Sequence, residues 1–252
     1  LDQLERKPYD LSSLKLLTSG GAILTAVLKQ QFLERLPGLR ILDALGSSES
    51  GAQASQVSEG RGKVTTGAFA VAAGSLVLRE DLSGVLGPGS GERGWLARQG
   101  VIPLGYYKDE EKTRKTFPVI GDKRYAVPGD RATVEADGTM RLLGRDSVTI
   151  NTGGEKVFAE EVEQALKHHP SVYDAVVVGT PHERFGQQVT AVVKLRTGAT
   201  ASPDELRQAA GEHLAHYKLP RSFVFVEEIV RSPSGKADYR WARERATQQP
   251  AV

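Results

Sequence analysis

The sequence predicts an α/β layer running into a small, distorted β-barrel, followed by a separate small α+β domain. Three observations carry this. The chain opens with a strand–helix–strand order, the pattern that parallel crossovers produce. Between about 50 and 143 the texture turns to short β segments separated by glycines. From about 144 onward, helix-spaced and β-branched runs alternate over enough length for a second core. The division is drawn between 1–145 and 146–252.

Taken in order, KLLTS (15–19) is a short apolar run ending in Gly20-Gly21, which suits a strand and a tight loop. Leu24, Val27, Leu28, Phe32 and Leu36 recur at helical spacing, and Pro37-Gly38 stops that helix. RILDAL (40–45) reads as the next strand. SLVLRE (75–80) and GWLARQG (94–100) read as strands of a small barrel or distorted sheet, and GVLGPGSGERG (84–94) as a loop. ATVEADGTMRLLGR (132–145) reads as a hairpin turning on Asp137-Gly138, a favoured type I′ pair. AEEVEQALKHHP (159–170) puts Val162, Ala165 and Leu166 on one helix face and ends before Pro170. AVVVGT (175–180), VTAVVKL (189–195) and FVFVEEI (223–229) are β runs fit for a sheet interior. Between the last two, Ser202, Pro203 and Glu205 spell a capped helix start. A polar tail follows SPSGKADY (232–239).

Composition narrows the function classes. With 33 basic and 31 acidic residues the net charge is +2, so no polyanion such as nucleic acid is implied as a partner. The absence of cysteine excludes disulfides, thiolate metal sites and cysteine nucleophiles, and fits a reducing cytoplasm. No apolar run approaches the ~20 residues of a membrane helix. Leu1 opens the chain and Met140 is its only methionine, so it reads as a piece of a longer product. His168, His169, His182, His213 and His216 show no metal spacing, and Trp95 and Trp241 read as packing residues.

Four clusters could carry chemistry, each with a plainer reading beside it. In LGSSESG (45–51), small residues after a strand let backbone amides approach an anion, and Glu49 offers a hard oxygen for a divalent cation. A polar turn has the same composition. In YAVPGDR (125–131), Asp130 could accept from a vicinal diol, although Asp after Gly is common in turns. GRDSVTINTGGEKVFAEEVE (144–163) packs Arg145, Gly153-Gly154 and two early helix acids into twenty residues. The acids Glu160 and Glu161 suit the helix dipole and the glycines suit a hairpin. In SPSGK (232–236), Lys236 sits on a Gly-bounded turn, where a cation could swing toward phosphate or carboxylate oxygens, or simply be a solvated lysine.

Together and in this order, SGGA (19–22), GSSE (46–49), GYYKDEEKTRKTF (105–117), PGDR (128–131), GRDSVTINTGGEKVFAEEVE (144–163), HYKLP (216–220) and SPSGK (232–236) resemble the acyl-adenylate-forming superfamily. That superfamily includes AMP-forming acyl-CoA synthetases, luciferases and peptide-synthetase adenylation domains. The form INTGGEKVFAEEVE is most similar to bacterial fatty-acyl-CoA ligases, of the actinobacterial branch handling fatty or steroid side-chain acids. The resemblance implies that 1–145 is the C-terminal part of the large AMP-binding domain and 146–252 the small mobile lid. It implies a two-step reaction with ATP, Mg2+ and coenzyme A: acyl-AMP forms, the lid rotates, and the thiol attacks.

The resemblance also implies roles. Lys236 matches the adenylation lysine, Asp130 the ribose-binding aspartate, and Arg145 the arginine beside it. Glu49 matches the magnesium-linked glutamate, with Ser48 where a phosphate-binding threonine usually stands and Gly46 and Ser47 as nucleotide-binding neighbours. Gly20, Gly21 and Ala22 match the segment near adenine and the acyl tunnel. Gly153 and Gly154 match the loop facing the thioester-forming site, where absent side chains leave room for pantetheine. Ser147, with its neighbour Asp146, matches the hinge. Three features depart from the family pattern: Leu45 replaces the adenine-stacking aromatic, Pro128 replaces a threonine, and no Gly/Ser/Thr-rich phosphate loop with Pro-Lys is found. The 252 residues alone are therefore expected to lack ATP-dependent turnover. The partners implied are a hydrophobic carboxylic acid, ATP and CoA, with room for a homodimer and for a cytoplasmic or membrane-peripheral location. The alternatives are an adenylation domain loading a carrier protein and a non-catalytic nucleotide-binding module.

Overall fold

The computed structural model describes residues 1–22, 24–60, 62 and 64–248, which form two compact units, Leu1–Leu142 and Leu143–Val252. The first unit begins with a short helix α1 (Asp2–Arg6), then β1 (Leu16–Gly20), α2 (Ala26–Arg35) and β2 (Arg40–Ser47). β1 and β2 pair in parallel, from Leu16 opposite Arg40 to Gly20 opposite Ala44, so the expected crossover is present. Thr25 caps α2, its hydroxyl oxygen accepting from the Leu28 N–H at 3.3 Å. Leu33 on α2 packs on Leu39 and Ile41 beneath it. Among these apolar residues lies Lys29, fully buried, its ammonium 2.9 Å from Asp43 on β2 and donating to Gln56 at 2.9 Å. Burial of a charge is tolerated only with such pairing.

β3 (Gly51–Glu59) folds back antiparallel on β2. Sequence patterning does not mark this strand, because its buried positions are Gln53, Ala54 and Ser58, polar or small residues. There follow β4 (Ala68–Val71), β5 (Ser75–Arg79), β6 (Gly94–Gln99), α3 (Glu110–Thr116), β7 (Val119–Ile120), β8 (Lys123–Ala126), β9 (Asp130–Val134) and β10 (Met140–Arg145). The strands form one ten-stranded sheet in the order β1-β2-β3-β4-β10-β9-β6-β8-β7, with β5 on β6. Of the two alternatives, barrel or distorted sheet, the open sheet is the one present, and no barrel closes. Closure needs the two end strands to pair, and here one end is β1 of the α/β layer and the other the two-residue β7.

The β9–β10 hairpin is present, but its turn is not type I′. That turn needs positive φ at both central residues, and Asp137 does not adopt one, whereas Gly138 does (83°). Instead the Gly138 N–H donates to the Glu135 carbonyl (3.0 Å) and Glu135 N–H to the Thr139 carbonyl (2.9 Å), enclosing a three-residue loop. Asp137 turns its carboxylate onto the Thr139 N–H and hydroxyl.

The second unit contains β11 (Thr149–Thr152), β12 (Glu155–Phe158), α4 (Ala159–Leu166), β13 (Val172–His182), β14 (Gly186–Leu195), α5 (Pro203–Gly211), β15 (Ser222–Phe225) and α6 (Tyr239–Gln248). β13 and β14 run antiparallel through ten paired positions, and β15 joins β14 in parallel. The unbroken valine runs are explained by burial on both faces. Val177, Val189, Ala191 and Val193 face α4 and α5 through Val162, Leu166, Leu206 and Ala210. Val176, Val178, Val192 and Val224 face α6 through Ala242 and Ala246. That last helix occupies what reads in sequence as a polar tail, since its buried stripe is alanine. The β run expected over 223–229 stops at Phe225. The capping box expected at Ser202 is complete, with the Glu205 carboxylate accepting from the Ser202 N–H at 2.7 Å. No described helix is long and apolar enough to cross a membrane.

Candidate functional site

In the first unit, Gly20, Gly21 and Ala22 leave the end of β1 while Gly46 and Ser47 complete β2, so both groups lie at the C-terminal ends of neighbouring parallel strands. Ligands of open α/β sheets bind outside such ends. The register of β2 on β3 shifts between Leu45 and Gly46. At Gly46 a Cβ would stand 2.3 Å from the Gly51 carbonyl oxygen, so the irregularity requires glycine there. Ser47 and Ser50 share a hydrogen bond at 2.9 Å, and the Ser50 hydroxyl donates to the buried Gln53 at 2.8 Å. Ser48 is exposed beside them.

Glu49, half-buried, is held by a residue the sequence reading did not single out. The Tyr106 hydroxyl donates to its Oε1 at 2.6 Å. That hydrogen bond lowers the Glu49 carboxyl below its usual range and outweighs partial burial. Burial, together with the same carboxylate, raises the Tyr106 phenol. The motif GYYKDEEKTRKTF is therefore a mount for this tyrosine. The Tyr106 N–H donates to the Thr113 hydroxyl at 2.9 Å, and a Cβ on Gly105 would strike the Thr113 side chain at 2.5 Å. The Asp109 carboxylate caps α3 by accepting from Lys112 N–H, and the Lys112 ammonium lies 3.9 Å from the centre of the Tyr106 ring. The signal was the motif itself, which names Tyr106 without saying what it touches.

Asp130 opens β9, only 6% exposed, after Gly129 with φ of 103°. Its neighbour Arg131 is buried against the Trp95 ring at 3.3 Å and reaches Glu80 at 3.2 Å. Trp95 thus packs, as expected, but carries a cation on its face. It also donates its indole N–H to the Glu80 carbonyl.

The remaining candidates lie in the second unit, which begins at Leu143, within β10. Arg145 is exposed at the end of β10, and Asp146 and Ser147 belong to a short 3-10 turn, Asp146–Val148. The Glu160 carboxylate accepts from the Arg145 N–H at 3.3 Å and lies where a Cβ on Gly144 would be, 2.4 Å away. Both carboxylate oxygens of Glu161 take the Lys218 ammonium at 2.7 Å. These two acids therefore make specific tertiary contacts, beyond favouring a helix start. Gly153 and Gly154, with φ of 59° and 91°, form the two-residue turn joining β11 to β12. A Cβ on Gly153 would press on the Phe185 ring at 3.2 Å.

Lys236 sits on a small, well-bonded hairpin. Arg231 and Ala237 form an isolated antiparallel bridge. Within it the Ser232 N–H donates to the Lys236 carbonyl at 2.9 Å, and the Lys236 N–H to the Ser232 hydroxyl at 3.1 Å. The Gly235 N–H closes a turn onto the Ser232 carbonyl at 2.8 Å, with Pro233 in the second place and Gly235 at φ 80°. The side chain of Lys236 is exposed. Its backbone is thus fixed, and the freedom of this cation resides in its own four-carbon stem. Among the described residues no three His, Asp or Glu side chains gather to hold a metal, and the His168 and His213 rings stack on each other at 4.5 Å.

The chain as a whole is similar to several known proteins. Residues 161–236 match the family of the AMP-binding enzyme C-terminal domain. The chain is 54% identical over 243 residues to the medium-chain acyl-CoA ligase Mig of Mycobacterium avium, covering 96% of this chain and 44% of that protein. It is 50% identical to a 3-oxocholest-4-en-26-oate–CoA ligase of Rhodococcus rhodochrous, covering 100% of this chain and 46% of that one. Among solved structures it is similar to ATP-bound MatB from Rhodopseudomonas palustris, with a TM-score of 0.81 and 26% identity over 96% of this chain and 48% of that one. It is also similar to the anthranilate CoA ligase AuaEII in complex with anthranoyl-AMP, with a TM-score of 0.82 and 28% identity over 98% of this chain and 47% of that one. The chain spans less than half the length of the curated relatives it matches.

Proposed function

We propose, for a chain that belongs to the acyl-adenylate-forming superfamily, that it forms the C-terminal part of an AMP-forming acid–CoA ligase acting on a hydrophobic carboxylic acid. The observation that carries this reading is 50–54% identity, across nearly the whole chain, to ligases named for medium-chain acyl and steroid side-chain acids. We place the enzyme in the cytoplasm, where its ATP and CoA co-substrates are found.

The chemistry follows from leaving groups. A thiol cannot displace oxide from a carboxylate, but it can displace AMP. In the first step a carboxylate oxygen attacks the α-phosphorus of ATP, and the bond to pyrophosphate breaks. In the second the CoA sulfur attacks the acyl carbon, loses its proton, and AMP leaves. The protein's part is positioning and charge neutralisation.

In this reading Gly46, Ser47 and Ser48 present amides and hydroxyls to phosphate, Gly20, Gly21 and Ala22 flank the adenine and acyl group, Asp130 accepts from the ribose hydroxyls, and Arg145 is a further nucleotide-binding residue. Glu49 suits Mg2+. Its carboxylate is kept ionised and gives Oε1 to Tyr106, and magnesium commonly takes one or two carboxylates plus substrate phosphates. When bound, the ion would neutralise phosphate charge. Lys236 neutralises the carboxylate and phosphate oxygens during adenylation. Residues 1–145 then serve as the nucleotide-binding part and 146–252 as the lid, hinged at Asp146 and Ser147, with Gly153 and Gly154 leaving space for pantetheine.

Lys236→Ala in the full-length enzyme is expected to lower carboxylate-dependent pyrophosphate exchange by about 100-fold or more. Thioester formation from supplied acyl-AMP should change little. Equal losses in both half-reactions would refute the role given to Lys236. Failure to form any CoA thioester from medium-chain or steroid side-chain acids would refute the proposed acceptor and substrate class.

A further inference from the structure

The flanks of the hairpin that presents Lys236 pack on the core of its unit through Ile229 and Ala237, and its turn is tied there by the side chain of Arg231. Arg231 uses three of its donors. Nε and Nη2 reach the two Asp174 oxygens at 2.7 Å each, and Nη1 reaches the Gly235 carbonyl at 3.0 Å, one residue before Lys236. Asp174 is itself held from its own strand and from Lys167, the residue that follows α4. Its Oδ1 accepts from the Ala175 N–H at 2.9 Å and lies 3.0 Å from the Lys167 ammonium. Behind Lys167, the buried Glu163 accepts from the Val177 N–H at 3.0 Å. The far side of the hairpin is closed by the Asp238 N–H on the Val230 carbonyl at 3.2 Å, and the Asp238 carboxylate caps α6 through the Trp241 N–H at 2.9 Å.

We propose that Arg231, fixed by Asp174, is the positioning residue for Lys236, setting where its ammonium can reach. The inference rests on the adenylation role given to Lys236 above. The geometry explains why arginine stands there. A planar guanidinium grips a carboxylate with two parallel bonds and still offers a third donor at a fixed angle, which a lysine cannot do. A lysine side chain samples many rotamers, so its delivery depends on a fixed origin. Misplacement of a reacting group by about 1 Å can cost about 100-fold in rate.

The test uses amide hydrogen exchange on the intact chain and half-reaction kinetics on the full-length enzyme. Arg231→Gln is expected to raise exchange roughly tenfold or more at the Ser232, Gly235 and Lys236 amides, with Val176–Val178 and Val189–Val193 unchanged. Pyrophosphate exchange should fall roughly 10- to 100-fold, while thioester formation from supplied acyl-AMP is retained. Arg231→Lys should not restore either property. Asp174→Asn, which keeps the shape but loses the charge, should show the same pattern more weakly. Unchanged protection at 232–236, or exchange rising equally through β13 and β14, would overturn the inference. So would full rescue by Arg231→Lys. Lys236→Ala separates the two readings: if it spares adenylation, the role of Lys236 fails, and the exchange data alone still decide whether Arg231 anchors the hairpin.

Discussion

Leu143–Val252 buries one valine-rich sheet between helices on both faces, whereas Leu1–Leu142 divides its apolar groups among three small clusters and sinks a lysine among them. The contrast carries over to the candidate residues. In the second unit Lys236 stands on a hairpin anchored through Arg231 to the strand that forms the core. In the first, Glu49 stands on a turn at a β irregularity and is held by a tyrosine from another loop. A continuous core supports a rigid mount, while a partitioned one leaves placement to polar contacts between loops. The physical reason is that apolar burial scales with contiguous area and polar contacts do not.

The sharpest way to break this comparison is to destabilise each unit separately. Asp43→Ala leaves the Lys29 ammonium buried without its carboxylate and is expected to cost about 3–5 kcal/mol, felt in the first unit. Phe223→Ala empties a fully buried position and is expected to cost about 3–5 kcal/mol, felt in the second. Denaturant unfolding followed by hydrogen exchange should assign each loss to its own unit. If either substitution lowers protection equally in both, the units are one cooperative body and the contrast fails.

Glycine substitutions sharpen it further. Gly46→Ala forces a Cβ against the Gly51 carbonyl and should cost about 1–3 kcal/mol with loosening of the β2–β3 end. Gly154→Ala meets open space and should cost only the strain of its positive φ, about 1–2 kcal/mol. Urea midpoints with equal losses at both sites would show that backbone crowding at Gly46 is relieved elsewhere.

A smaller effect is expected from acid. Burial pushes the Asp174 carboxyl up, but the Arg231 hydrogen bonds and the charges of Lys167 and Arg231 outweigh it and hold it below its usual 3.8. The stabilisation from Asp174 is therefore complete above about pH 4 and is lost as pH falls through the lowered value. Asp174→Asn should flatten this part of the acid limb of a stability–pH curve, and an unchanged limb would remove the pair from the account. The smallest change is at Glu49. Tyr106→Phe removes the hydrogen bond that lowers its carboxyl, so its titration, followed by carbon NMR, should move upward.

Much of the fold was legible in the sequence because local patterns report local structure. The crossover of β1, α2 and β2, the paired valine strands and the capping box at Ser202 each follow from spacing within a few residues. The candidate site was legible as a set of motifs, from GSSE to SPSGK, whose order carries the family resemblance. β3 and α6 were not, since their buried positions are serine, glutamine or alanine, which leave no apolar period.

The amino-acid sequence by itself determined which segments would be strands and helices in the two valine- and leucine-patterned layers, and which residue types stand at the candidate positions. Only the tertiary structure decided that the ten-stranded sheet stays open, that Tyr106 holds Glu49, and that Arg231 holds Asp174. Each of those two pairs is separated by 57 residues. A hydrogen bond across that distance depends on how strands are registered and loops are brought together, and it imposes no periodicity on the intervening chain.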